Sequence, residues 1–127
     1  MTLIFDFDST LINCESLEEI ASGSLQLSSE QLKEIEELTE QAMRGTLSFI
    51  DSLEARLAIT QPSLKNIHSF IQNKGNIWST GCKNLIKSFS DVWVITGAFE
   101  VLVKELCLEL PISQNKIYGV KATWNEE

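Results

Sequence analysis

Two aspartates stand one residue apart near the start of this sequence, in LIFDFDSTL (Leu3–Leu11), where the apolar run Leu3–Phe5 leads into Asp6-Phe7-Asp8. Read as a strand over residues 3–7, the stretch sends Asp6 and Asp8 to one side and Phe5 and Phe7 to the other, because side chains alternate along a strand. In an open parallel sheet, ligands bind beyond the carboxyl ends of the strands, so both carboxylates would face a ligand there. Like charges this close are tolerated when a cation lies between them or when one is protonated. Mg²⁺ suits the position, because it takes oxygen ligands and draws few of them from protein. One carboxylate can attack phosphorus to give an aspartyl-phosphate. The second can give a proton to the leaving oxygen and then take one from water. Farther along, VWVITGAF (Val92–Phe99) places Thr96-Gly97 after a β-branched and aromatic run, and a hydroxyl with exposed backbone N–H groups suits a phosphate. Phosphoryl transfer asks a protein mainly for position and charge neutralisation. The plainer reading is that the aspartates start a turn and Thr96 ends a strand.

The elements that must position these groups follow from periodicity. The apolar lead-in to Asp6 suits a strand buried on both faces. Ser16 is placed to cap a short helix through Ile20, ahead of Gly23. From Ser28 to Met43 the spacing of Leu32, Ile35, Leu38 and Ala42 predicts a helix, opened by a Ser28/Gln31 capping box. A second helix is expected from about Leu47 to Ile59, with Ile50, Leu53 and Leu57 on its stripe. A third carries Pro62 in its first turn, then Ile67, Phe70 and Ile71. The pattern then changes to a helix over residues 82–89, a turn at Asp91, a strand over Val92–Thr96, a helix from about Phe99 to Leu110 and a short strand over Ile117–Val120. Alternation of this kind predicts an α/β protein with a parallel sheet of about three strands and right-handed crossovers. The first crossover is far longer than one needs, so residues 17–75 read as an inserted helical cap on a core of residues 1–16 and 76–127.

Composition narrows the function classes. A chain of 127 residues, 43% apolar and 22% charged, is an ordinary globular length and mixture. Its net charge of −8 argues against broad nucleic-acid binding, which relies on clustered Lys and Arg. It leaves room for a small anionic substrate, because a metal ion and local donors reverse the sign inside a pocket. The three cysteines, Cys14, Cys82 and Cys107, include no C-x-x-C pair and read as reduced intracellular thiols. No signal-peptide pattern leads the chain, and no apolar run reaches the roughly 18 residues of a membrane span. The expectation is a cytoplasmic protein with neither membrane nor nucleic-acid partner.

Several segments together carry a family likeness. FDFDSTLINCESLEEIA resembles the first motif of the haloacid dehalogenase superfamily of phosphohydrolases, and within it the phosphoserine phosphatases. EQAMRGTLSFIDSLEARLAI is similar to their cap segment, with a Met-x-Gly stretch, a Phe and an Arg in register. VWVITGAF resembles the second motif, which usually ends Ser-Gly-Gly-Phe, so Ala98 is a small departure. The likeness runs from Thr2 to about residue 121. It implies a truncated Rossmann-like sheet with an inserted helical cap, Mg²⁺ as cofactor, and hydrolysis of phosphoserine in L-serine biosynthesis. By position it implies Asp6 as nucleophile and metal ligand, and Asp8 as acid/base and, through its backbone carbonyl, metal ligand. It implies Glu15 as partner of the substrate ammonium and Arg56 as partner of its carboxylate, a charge-assisted pairing suited to a zwitterion. It also implies that Thr96 and Gly97 hold the phosphate, and that Met43 and Phe49 line the apolar part of the pocket.

Without the likeness, Glu15 reads as a first-turn helix residue and Arg56 as a solvated helix charge. His68 reads as a surface or satisfied helix residue and not a catalyst, Trp78, Trp93 and Trp124 as packing, and the Glu-rich stretch 30–40 as a solvated face. The family's downstream lysine and Gly-Asp-Gly-x-x-Asp loop have no counterpart in these residues, and Val120-Lys121 stands where Asn-Arg is usual. The expectation is therefore impaired turnover, weaker metal binding, and an open edge on the first strand able to pair in a homodimer or with a complementing chain. The alternative is a non-catalytic remnant that binds a phosphorylated ligand.

Overall fold

The computed structural model describes residues 1–124; the end of the expected core, residues 125–127, lies outside them. Strand β1 (Thr2–Phe5) is followed by helices α1 (Ser16–Gly23), α2 (Ser29–Met43), α3 (Phe49–Thr60), α4 (Leu64–Asn73) and α5 (Cys82–Lys87). Strand β2 (Asp91–Phe99), helix α6 (Glu100–Leu106) and strand β3 (Ile117–Val120) complete the order. All pairings are parallel and the sheet order is β1-β2-β3. The chain divides into two units, one of Met1–Ser16 and the residues from Ile71 on, the other of Leu17–Phe70. No helix among the described residues is long and apolar enough to cross a membrane.

The first unit builds its core on one face of the sheet. Val92, Val94 and Ile117 are buried, as are Leu102, Val103 and Leu106 of α6. The other face carries exposed Ile4, Ile95 and Tyr118, with Trp93 stacked on Tyr118 at 6.1 Å between centroids. Among the described residues the sheet is thus covered on one side, where the sequence suggested burial of the first strand on both: Ile4, on the face opposite Leu3 and Phe5, is exposed.

Element ends also differ from the periodicity. Strand β1 stops at Phe5, since the next residues fold into a turn whose N–H groups converge on the Phe7 carbonyl. Asp91 opens β2 instead of turning the chain. Its carboxylate accepts from the Thr2 hydroxyl (2.5 Å), Trp93 Nε1 (2.8 Å) and Lys116 Nζ (2.9 Å), and these donors pull its carboxyl down to about 2. Helix α6 ends at Leu106, and the chain tightens there into a 3₁₀ turn over Cys107–Glu109.

The second unit is helical and capped as its polar residues dictate. The Ser28 hydroxyl accepts from Gln31 N–H (3.2 Å) while the Gln31 side chain accepts from Ser28 N–H (3.0 Å), closing the expected capping box of α2. Ser48 caps α3 through Asp51 N–H, which moves that helix start to Phe49. Ser63 and Asn66 bond reciprocally at the head of α4, so Pro62 precedes the helix and is not in its first turn. The Ser52 hydroxyl donates to the Leu38 carbonyl at 2.7 Å and ties α3 to α2.

Within the first unit a brace holds the segment after β1. Phe7 is fully buried, with its ring edge-to-face on Trp78 at 6.1 Å. Trp78 Nε1 donates to Glu109 (3.2 Å), which pairs with Lys74 (2.9 Å) and Lys83 (3.4 Å). Backbone bonds from Asn13 to Ile77 (2.8 Å) and from Ser79 to Leu11 (2.8 Å), with Ser79 Oγ donating to the Thr10 carbonyl (2.6 Å), stitch the two segments together. Losing a large buried aromatic costs about 3–5 kcal/mol. Trp78→Ala should show that loss in urea unfolding, whereas Trp93→Ala, at a half-buried position, should lose clearly less.

Candidate active site

The register of the sheet decides what meets at its carboxyl end. Phe5 of β1 lies level with Val94 of β2. The residues that follow each, Asp6–Asp8 and Thr96–Ala98, therefore emerge side by side at the same end of a parallel pair. Asp6 is exposed, and one of its oxygens accepts from Phe7 N–H at 2.7 Å. Phe7 in turn is the buried anchor, its carbonyl accepting from the N–H groups of Thr10 (3.1 Å), Leu11 (3.0 Å) and Ile12 (3.2 Å).

Asp8 occupies a different environment two residues later. One of its oxygens accepts from the Ser16 hydroxyl at 3.0 Å, and the other is buried with no hydrogen-bond partner. Burial, then the negative charge of Glu15 and, less, that of Asp6, push the Asp8 carboxyl up to about 7. Ser9 holds Glu15 in place. It sits in the left-handed region at φ 57°, donates its N–H to the Cys14 carbonyl (3.0 Å), and donates its hydroxyl to Glu15 Oε2 (2.7 Å). Asp6, Asp8 and Glu15 are thus brought together by one tight loop, in which Asp6 is exposed and Asp8 half-buried.

On β2 the strand runs on through Thr96, Gly97 and Ala98 to Phe99 instead of ending at Thr96. A bulge falls between Ile95 and Phe99, where pairing with β3 jumps from Tyr118 to Val120. Bulges re-aim side chains and backbone at such positions. Inside it, Ala98 N–H donates to Thr96 Oγ1 at 3.1 Å, which leaves the threonine O–H free to turn its proton outward.

The other expected site residues belong to the helical unit. Met43 ends α2 and is 70% exposed, and Phe49 opens α3 and is 46% exposed. Arg56, in the middle of α3, is only 7% exposed and donates Nε–H to the Ser52 carbonyl at 3.3 Å. The residue-by-residue reading as a solvated charge is corrected: α3 packs on α2 along the face that carries Ser52, Arg56 and Thr60.

Sequence reasoning missed Ser16, read as a helix cap, whose hydroxyl is turned onto Asp8 instead. It also missed Ser9, whose positive φ carries no local signal. In DSTLINCES a serine directly follows each of Asp8 and Glu15, the signal that could have found both.

Among the described residues no group of three or more His, Cys, Asp or Glu side chains converges as a metal site. The donors that are present, the exposed Asp6 carboxylate first, fit a hard cation that keeps several waters and takes one or two carboxylates.

Comparison with known proteins shows what the chain resembles. The fold matches the crystal structure of a phosphoserine phosphohydrolase-like protein from Francisella tularensis with a TM-score of 0.90 and 37% identity, over 98% of this chain and 60% of that one. Over nearly its whole length the chain is thus similar to a phosphoserine phosphohydrolase-like protein. A phosphoserine phosphatase solved as its phospho-aspartyl intermediate analogue matches with a TM-score of 0.73 and 28% identity, over 94% of this chain and 55% of that one. Phosphoserine phosphatase of Drosophila melanogaster is 31% identical over 121 residues, covering 92% of this chain and 43% of the fly protein. The rat enzyme is 28% identical over 119 residues, covering 91% of this chain and 51% of its own length. The chain thus spans about half the length of the curated relatives it matches. No family model matches the sequence.

The raised Asp8 carboxyl gives a signed stability prediction. Its folded value of about 7 lies above the ordinary 3.8, so its contribution is fully present below that ordinary value and is lost as pH rises through 7. The metal-free Asp8→Asn protein should therefore melt several degrees above wild type at about pH 8 and at the same temperature near pH 3, as followed by circular dichroism.

Proposed function

We propose that this chain carries the nucleophile-bearing part of a phosphatase acting on a phosphorylated amino acid, with phosphoserine as substrate. The observation that carries the reading is the division of labour between two neighbouring carboxylates: Asp6 exposed, Asp8 half-buried and raised to about 7, both beside the Thr96-Gly97 bulge. An exposed carboxylate beside one whose acidity is weakened by burial suits the two to opposite roles in one reaction.

In this mechanism a carboxylate oxygen of Asp6 attacks phosphorus. The bond to the serine oxygen breaks, and Asp8, protonated near neutral pH, gives its proton to that leaving oxygen. Asp8, now a carboxylate, then takes a proton from water as the water oxygen attacks the aspartyl-phosphate. Phosphate leaves and Asp6 is restored. Thr96 O–H and the Gly97 N–H orient the transferring group. The Asp6 carboxylate and the Asp8 backbone carbonyl would hold Mg²⁺, which when bound neutralises phosphate charge. Substrate reading falls to Glu15 for the ammonium and Arg56 for the carboxylate, with Met43 and Phe49 on its apolar part. Proteins named phosphoserine phosphatase among the relatives support this assignment. A role in making L-serine in the cytoplasm belongs to the same proposal.

A second reading draws on the position of β1 at the sheet edge with Ile4 exposed: a phosphate-binding subunit that pairs along that edge with a second copy or a complementing chain. One assay separates the two. Wild-type chain with Mg²⁺ should release phosphate from phosphoserine at a rate that Asp6→Asn lowers by at least about a hundredfold, because the nucleophile is lost. Equal background release from both proteins would contradict the enzymatic reading and favour the binding one.

A further inference from the structure

The bulge in β2 is held open by residues on β3 and α6 that lie outside the motif. Pairing runs Val94 to Ile117 and Ile95 to Tyr118, then jumps to Phe99 and Val120. Three residues of β2, Thr96 to Ala98, therefore face the single Gly119. Gly119 does not have a positive φ, so its backbone angles do not explain the glycine. Space does. A Cβ there would lie 2.7 Å from the Ala98 carbonyl oxygen, 2.8 Å from Glu100 Cα and 2.9 Å from Glu100 N. All three are backbone atoms and cannot swing aside as a flexible side chain would.

Glu100 completes the contact. Its Oε1 accepts the Gly119 N–H at 3.1 Å, and its Oε2 lies 3.6 Å from Lys104 Nζ one helical turn on. That N–H bond is the main cause of a Glu100 carboxyl lying below the usual range. The side chain at the head of α6 thus reaches back to the strand that the bulge crosses. Buried Ala98 and Phe99 anchor the far end of the bulge, and Phe99 meets Trp124 edge-to-face at 5.2 Å.

We infer that Gly119 and Glu100 are positioning residues for the phosphate loop: the missing Cβ lets the Ala98–Glu100 backbone close on β3, and the Glu100 carboxylate pins it there, fixing the direction in which Thr96 and Gly97 present their donors. This rests on the proposal that Thr96-Gly97 takes the phosphoryl group. A donor that must meet a phosphate oxygen within a few tenths of an ångström depends on such support.

The test uses the full chain and reads the loop apart from turnover. Amide hydrogen exchange is measured for Ala98 and Gly119 alongside the core amides of Val94 and Leu102, and inorganic phosphate is titrated against the amide spectrum. In Glu100→Ala, which removes the acceptor, Ala98 and Gly119 should exchange about tenfold faster and phosphate should bind about tenfold more weakly, the scale of one lost hydrogen bond, while the core amides stay unchanged. Glu100→Gln keeps an acceptor oxygen and should behave as wild type. Gly119→Ala should match or exceed Glu100→Ala. Unchanged exchange in Glu100→Ala overturns the inference, and so does a Glu100→Gln as impaired as Glu100→Ala, since the charge and not the hydrogen bond would then matter. If Gly119→Ala fails to fold, the Glu100 pair decides alone. A wild-type chain that shows no phosphate-dependent shift overturns the phosphate reading of the loop, and the exchange rates still decide whether Gly119 and Glu100 set its geometry.

Discussion

Asp6 and Asp8 stand either side of a fully buried phenylalanine, and the Asp6 charge adds to the burial and the Glu15 charge that raise the Asp8 carboxyl. That arrangement is unfavourable by itself. Two carboxylates repel, and one of the Asp8 oxygens is out of water with no partner. The first unit supplies what offsets the cost. Phe7 is locked against Trp78, the Phe7 carbonyl gathers three backbone N–H groups, and Ser16 satisfies the second Asp8 oxygen. A protein that keeps an under-satisfied carboxylate at the end of a strand stores a group ready to take a proton or a cation.

The same logic explains the two sides of the sheet's carboxyl end. On β1 the chain leaves the strand at once and turns sharply, with Ser9 in the left-handed region. On β2 it stays extended but bulges, with the close approach of Gly119 making room. One side offers acidic oxygens and the other offers donors. The parallel register that sets Phe5 level with Val94 is what places them side by side.

Much of this was legible from local pattern. The capping box at Ser28 and Gln31, the helical spacing of Leu32 and Ile35, and the β-branched run before Thr96 each report a local preference, and each element formed. The pair Asp6 and Asp8 was legible because an apolar strand run leads straight into two carboxylates one residue apart. What the sequence did not disclose depends on contacts distant along the chain. The turn that ends β1 at Phe5 is stabilised by Trp78, on the far side of the helical unit in sequence, so the strand looked longer than it is. The Ser16 hydroxyl had two candidate partners, a helix N–H and a carboxylate, and only the folded loop selects Asp8. Gly119 looked like an ordinary strand glycine until Ala98 and Glu100 were placed against it. Arg56 looked solvated because helical spacing alone does not reveal that α2 covers its face.

The central claim is that Asp6 is an exposed nucleophile poised to carry a phosphoryl group, supported by Asp8 and the Thr96-Gly97 bulge. Trapping the phosphoryl state tests it without requiring turnover. Beryllofluoride, a tetrahedral mimic of an aspartyl-phosphate, is added with Mg²⁺ and followed by fluorine NMR. The account predicts a bound resonance with wild-type chain that disappears in Asp6→Asn. A bound resonance that survives Asp6→Asn, or none with the wild-type chain at millimolar beryllofluoride, would contradict it.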